Sequence, residues 1–435
     1  MKSASKKFFF ALTVFSLIGQ IAWVVENMYL NVFIYRMFGA SAAEISLMVS
    51  ASAVSATLTT LLVGALSDKL GKRRVFICGG YILWGLSILG FALIRTETIA
   101  ALFPAATSVA AICITMVIVL DCLMTFFGSS ANDACFNAWL TDMTDNADRG
   151  AAEGINAMMP LVAILAVFGG FMGFDQGLAE SWTTIFSIIG CTVLVIGIVG
   201  FWLIDEPHLR PEENKSYFGN IVYGFRPSVV RANKPLYLIL AAFAIFGISI
   251  QIFMPYLILY YTEALKMENY VFVMAPAILL AAVFTALWGR VYDRLGFKRS
   301  VLPSVALLVG GYAVLIAFRA TALVFIGSLL MMCGYLSGMA VFGAMIRECT
   351  PENRAGMFQG LRIAAQVLIP GIIGPAIGAW VLRNAETVIG DDGTASFIPN
   401  VSIFVAALIV AIVLCACLFA LFPYFKKAEV NHEEK

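Results

Sequence analysis

Residues Val63 to Arg74 read "VGALSDKLGKRR": a long apolar run that ends in one acid, Asp68, and four basic residues. A second stretch, Leu287 to Ser300, "LWGRVYDRLGFKRS", repeats the pattern. Gly64, Asp68 and Gly71 correspond to Gly289, Asp293 and Gly296, each 225 positions further on (289 minus 64), and Arg73 and Arg299 belong to the basic ends of the two copies. A weaker echo joins "TDMTDNADRGAAEG" (141–154) to "RECTPENRAGMFQG" (347–360), with Asp142 opposite Glu348 and Arg149 opposite Arg354. The chain is therefore a duplication. The second offset is shorter, 206 (348 minus 142), and the missing length maps near 96–112. An extra segment is expected there, between the third and fourth spans.

Composition says what kind of unit was duplicated. Of 435 residues 61% are hydrophobic and 13% charged, and mean hydropathy is +0.91. Soluble domains carry roughly 25% charge, so this is a membrane protein. Apolar segments long enough to cross about 30 Å of hydrocarbon as helices fall near 8–38, 43–66, 75–94, 112–140, 152–174, 181–204, 235–261, 270–289, 301–318, 321–346, 355–382 and 399–424. The expected fold is all-α with twelve transmembrane helices in two six-helix bundles. The bundles take residues 1–204 and 235–425, joined by a linker at 205–234 and followed by a tail at 426–435. Linker residues Tyr217, Phe218, Ile221, Val222 and Phe225 suggest a part lying at the membrane surface.

Alternating the loops between two sides puts all but Arg36, Arg95, Lys266, Arg319 and Arg383 of the 28 Lys and Arg on one side. That bias places both termini in the cytoplasm of a multi-pass cell-membrane protein. The basic and apolar opening "MKSASKKFFFALTVFSLIG" is read as an uncleaved first span, because no small-residue cleavage site stands out.

Gly-x3-Asp-x2-Gly followed by basic residues, on the cytoplasmic side and at equivalent places in both halves, resembles the signature loop of the major facilitator superfamily. The resemblance covers nearly the whole chain. It implies two bundles rocking about a central site, with the loop acid holding the cytoplasmic side closed. Within that superfamily "NDACFNAWLTDMT" (132–144) and "NMYLNVFIYRMFGAS" (27–41) are similar to the glycoside-pentoside-hexuronide:cation symporters and related sugar carriers. That likeness matches Asp133 to the fourth-helix carboxylate that lies near sugar and cation. The chain departs from the pattern at Ala56 and Thr60, where those carriers have acids, and at Met158 or Met159, where they offer Arg.

Ionisable groups at membrane depth need a reason, since insertion scales charge about 2.5–3.5 kcal/mol at a helix centre. Glu26 and Asn27 lie well inside the first span, and the repeat offset sets Gln251 opposite Glu26. These are the foremost cavity candidates; the alternative is that Glu26 and Gln251 act as internal packing glue. Asp133 either lines the inner cavity or pairs locally with Arg149, while Asp121, nearer the outer end, ranks lower because it is expected to be wetted. Arg362 either faces the cavity or snorkels to the inner surface. Trp23, Tyr29 and Tyr256 complete the candidate lining, and Tyr35 and Tyr260 read as interface anchors. Gly169-x3-Gly173 and Gly374-x3-Gly378 permit close helix approach.

Other chemistries find no residues. The cysteines lack metal-ligand spacing, so no metal is expected, and the two histidines fall in the linker and tail. There is no phosphate-binding loop for ATP, no cofactor motif, and no set of residues for an intramembrane enzyme. The expected activity is secondary active transport of a small polar solute, a sugar or glycoside as the best guess, coupled to H+ with Na+ as the alternative. Other readings are proton-antiport export of lipophilic compounds and, less favoured, a non-transporting sensor. The expected partners are a small-molecule substrate and the lipid bilayer, with no nucleic acid and a monomeric state.

Overall fold

The computed structural model describes residues 5–144, 148–207, 226–267, 269–350, 355–389 and 395–433. Among them, eleven helices are long and apolar enough to cross a membrane. In chain order the helices are α1 (Lys6–Phe38), α2 (Ala42–Leu70), α3 (Arg74–Phe91), the short α4 (Thr96–Leu102), α5 (Val109–Met143), α6 (Arg149–Phe171), α7 (Ala179–Leu203), the short α8 (Pro227–Ala232), α9 (Lys234–Ala264), α10 (Val271–Ala317), α11 (Thr321–Cys349), α12 (Gly360–Leu382) and α13 (Ser402–Glu433). The short α4 occupies the stretch where the repeat offset requires extra chain.

The chain divides into two compact units. One is Met1–Lys215 with Thr387–Phe397, the other Ser216–Glu386 with Ile398–Lys435. In the first, α1 packs on α6 and α7, α3 on α7, and α2 on α5; in the second, α9 packs on α12 and α13, and α10 on α11. The 11-residue excursion in the first unit holds a feature the sequence did not announce, a hairpin of β1 (Thr387–Ile389) and β2 (Ala395–Phe397), paired antiparallel. The Tyr35 hydroxyl donates to the Phe397 carbonyl at 2.6 Å, so Tyr35 is a buried hairpin contact rather than an interface anchor. Tyr260, 1% exposed, is likewise buried, against Phe404.

Local chemistry sets the helix ends. Ser41 opens α2 with a reciprocal cap: its hydroxyl accepts from the Glu44 N–H, and the Glu44 carboxylate accepts from the Ser41 N–H at 2.7 Å. Gly71 closes it in the left-handed conformation, φ 61°. The 47-residue α10 contains the matching glycine of the second copy, Gly296, at φ 73° and ψ 179°, which breaks the helical path between two apolar halves. Apolar side chains such as Leu83, Val119, Ile188 and Ile409 are exposed on the helix surfaces, as lipid-facing positions require.

The two glycine pairs behave differently. A Cβ on Gly374 would meet Gln251 Cβ at 2.4 Å, and one on Gly378 would meet the Ile252 carbonyl at 2.4 Å, so α12 and α9 touch backbone to backbone there. At Gly169 and Gly173 nothing lies within 4 Å, which corrects the expectation of a close crossing at that pair.

Candidate functional site

The first unit carries a buried polar cluster at the middle of α1. Val25–Tyr29 form a π-helical turn, a one-residue insertion that changes which side chains face inward and recurs at functional sites. Glu26 is 7% exposed within it. Its Oε1 accepts from Ser52 of α2 at 2.9 Å and from Thr125 of α5 at 2.8 Å, and the two hydroxyls stand 2.6 Å apart. With Glu26 ionised, two hydroxyl protons serve three contacts, so one edge of the triangle lacks a proton. Glu26 Oε2 has no partner.

Asp121 belongs to the same cluster. It precedes Thr125 by one helical turn on α5, is 2% exposed, and its Oδ1 has no partner. It is therefore buried, not wetted. Asp133 lies further along α5 in a second π-helical run, Ser129–Phe136, where Ser129 donates to its Oδ2 at 3.0 Å. The local partner considered for Asp133, Arg149, instead contacts the Thr141 carbonyl at 3.4 Å.

The remaining candidates separate. Asn27 is exposed and donates to the Trp23 carbonyl at 2.8 Å. Trp23 packs against Trp84 with ring centres 5.0 Å apart and planes tilted by 50°, and its buried Nε1 has no partner. Tyr29 and Tyr256 are 0% exposed, Tyr29 wedged against Phe168 and Phe171 and Tyr256 against the close α9–α12 crossing. Both are packing residues of their units, which corrects their place in the cavity lining. Gln251 and Arg362, in the second unit, are half-buried. Arg362 lies on the turn just before a further π-helical segment, Ala364–Leu368.

The duplicated loops are built unequally. Arg73, with its side chain 6% exposed, bridges Asp68 at 2.5 Å and Asp142 at 2.9 Å, and donates to the Ser67 hydroxyl at 2.9 Å. Burial alone would lower its pKa, but the two carboxylates outweigh burial and hold it above the ordinary guanidinium range. Glu206 accepts the Arg73 and Arg74 N–H groups, satisfying the start of α3 and tying the end of the first unit back to it. In the second copy the acid at the end of α11, Glu348, accepts instead from the Tyr292 hydroxyl at 2.7 Å. Asp293 is exposed and has no ion pair among the described residues. Lys298, at the position of Arg73, stands over the Phe422 ring at 5.2 Å. A Cβ on Gly64 would meet only Ala134 Cβ, at 3.8 Å, and one on Gly289 would face open space; Arg299 is exposed, while Arg354 lies outside the described residues.

The sequence search missed Ser52 and Thr125 and underrated Asp121. Ser and Thr are frequent in spans, so only the coincidence of three spans at one depth could have singled these out.

Paired loops of this kind on two helical units, one with acids buried at membrane depth, define a membrane carrier. The sequence profile of the Major Facilitator Superfamily matches residues 8–344 and again 272–435, and the chain belongs to that family. Its members are transporters, and this protein is a transporter rather than an enzyme. Among solved structures it is similar to the nucleoside transporter NupG (TM-score 0.73, 14% identity, covering 95% of this chain and 100% of that one). It is also similar to a D-xylose-proton symporter (0.70, 14%, 95% and 97%) and to a bacterial homologue of the human lysosomal transporter Spinster (0.68, 16%, 98% and 99%). No curated protein sequence matches it.

Proposed function

We propose that the protein is a secondary active transporter of a small polar solute, with a sugar or glycoside as the best single guess, driven by a proton gradient. The observation that carries the reading is Glu26, an acid seated among α1, α2 and α5 with two hydroxyls on one oxygen and none on the other. Such a group exchanges a proton or a small cation as its surroundings open and close, which shifts the balance between two conformations. Na+ is the alternative coupling ion, since carboxylate and hydroxyl oxygens are hard ligands.

Twelve spans follow if α10 is read as two helices meeting at Gly296, and the basic loops then put both termini in the cytoplasm. On this reading Gln251 and Arg362 contribute from the second bundle, and the Arg73 cluster with Asp68, Asp142 and Arg149 secures the cytoplasmic gate. The second reading, proton-antiport export of lipophilic compounds, is favoured by the aromatic Trp23–Trp84 pair, which involves the residue three positions before Glu26 on α1.

The test is flux in proteoliposomes with an imposed pH gradient, a sodium gradient, or neither, across a panel of monosaccharides, glycosides and nucleosides. Accumulation of one polar solute only under the pH gradient supports the proposal. Sodium-driven accumulation reassigns the ion, and efflux of hydrophobic dyes without polar-solute uptake overturns it.

A further inference from the structure

The first unit contains a cavity away from the Glu26 cluster. It lies at the end opposite the Arg73 cluster, where the ends of α1 and α3 meet the starts of α4 and α7, and has a volume of about 350 Å³. Its floor is aromatic: Phe33, Phe91 and Trp182 are each no more than 3% exposed, and Phe33 and Trp182 stand 5.3 Å apart. The Trp182 Nε1–H is satisfied by the Gln176 carbonyl at 2.8 Å, so the ring presents only apolar surface to the cavity.

The rim carries three charges, Arg95, Glu97 and Glu180. None is paired with another among the described residues. Arg95 is held in place through Nε and Nη2 by the Thr183 hydroxyl at 3.1 and 2.6 Å, which orients a five-donor group while neutralising none of its charge. Immediately around this charged rim the surface turns apolar, with Leu93, Leu102, Phe103 and Leu178 exposed by 72, 65, 48 and 54%. A charged rim beside exposed leucines is the pattern expected at the boundary between hydrocarbon and water.

We propose that this cavity binds the headgroup of a zwitterionic, primary-amine phospholipid of the phosphatidylethanolamine type. Charge complementarity selects the occupant. The fixed Arg95 guanidinium suits the phosphate, and the two glutamates suit an ammonium whose N–H groups donate to them. The aromatic floor takes the first carbons of the acyl chains. A quaternary choline has no N–H to donate, and an anionic glycerol headgroup meets two carboxylates with only one cation to offset them. The volume lies in the range of small-ligand sites.

The full-length protein is reconstituted in phosphatidylcholine nanodiscs containing a minority of phospholipid brominated near the headgroup end of its acyl chains. The ethanolamine, glycerol and choline headgroups are compared. Trp182 fluorescence is isolated by subtracting the Trp182→Phe variant, which keeps an aromatic floor. Bromo-ethanolamine lipid is expected to quench the Trp182 component about fivefold more than the other two at equal mole fraction. Arg95→Gln and the double variant Glu97→Gln with Glu180→Gln each abolish the preference, while elution as a single monodisperse species shows that they fold. Equal quenching by all three headgroups, or a preference that survives both variants, overturns the proposal. So does binding of soluble O-phosphoethanolamine without lipid quenching, because it would make the occupant a solute.

Discussion

Thr125 donates its hydroxyl to the Glu26 carboxylate at 2.8 Å, which brings the fourth span of the first unit onto the first at the depth of the π-helical turn. Ser52 closes the triangle from α2. Glu26→Gln keeps the shape and both hydroxyl contacts but removes the exchangeable charge. Uptake driven by a pH gradient should fall at least about tenfold, the effect of about 1.4 kcal/mol, while solute exchange at zero gradient continues. Vesicle flux in the two modes checks it. Driven uptake at the wild-type level would show that Glu26 is structural.

Arg73 leads to a stability prediction with a defined ranking. Arg73→Ala strands Asp142, whose side chain is only 21% exposed, and should destabilise the protein by about 2 kcal/mol. Asp68 is 55% exposed, so solvent screens its pair, and Asp68→Asn should cost less than about 1 kcal/mol. Arg73→Lys recovers only part of the loss, because one ammonium cannot serve both carboxylates and Ser67 with the geometry of the guanidinium fork. Detergent-solubilised thermal unfolding gives the order. Equal losses for Arg73→Ala and Asp68→Asn would refute the asymmetry.

The repeat makes the two-unit architecture readable from the sequence alone. One pattern of Gly, Asp and Gly located Gly71 and Gly296, and the change of offset located α4. The site was less legible. Glu26 stands out because acids are rare in apolar runs, but the π-helical turns that aim Glu26 and Asp133 have no sequence signature: "VENMY" and "SSANDACF" would fit an ordinary helix. Asp121 was placed by its distance from the span end, and burial depends on what packs against it, which one helix cannot reveal. Equivalent positions also diverged. Tyr292 replaces Ser67 and Lys298 replaces Arg73, so the second loop binds its acid through a neutral hydroxyl.

Close helix contact distinguishes two glycine pairs that look alike in sequence. Gly374→Ala places a methyl 2.4 Å from Gln251 Cβ with backbone atoms behind it, and should destabilise by about 1–3 kcal/mol. Gly169→Ala meets nothing within 4 Å and gains helix propensity, so it should be neutral or slightly stabilising. Thermal unfolding of both variants checks the pair. A Gly374→Ala variant as stable as Gly169→Ala would mean the α9–α12 crossing is looser than described.

Backbone conformation separates the two signature loops in the same way. Gly71 sits at φ 61° and ψ 28°, a left-handed conformation that other residues adopt at a cost of roughly 1–2 kcal/mol. Gly296 sits at φ 73° and ψ 179°, a region open in practice only to glycine. Gly71→Ala should therefore lower stability modestly, and Gly71→Asn, whose side chain tolerates the left-handed region, should recover part of that loss. At Gly296 neither Ala nor Asn is tolerated, so both variants should lose about 2–3 kcal/mol, or fail to accumulate in the membrane, with no rescue by Asn. The comparison needs four variants, with membrane accumulation and unfolding temperature measured for each. Rescue by Asn at Gly296 as well would show that its backbone lies in the ordinary left-handed region, and the break in α10 would then be an αL turn like that at Gly71.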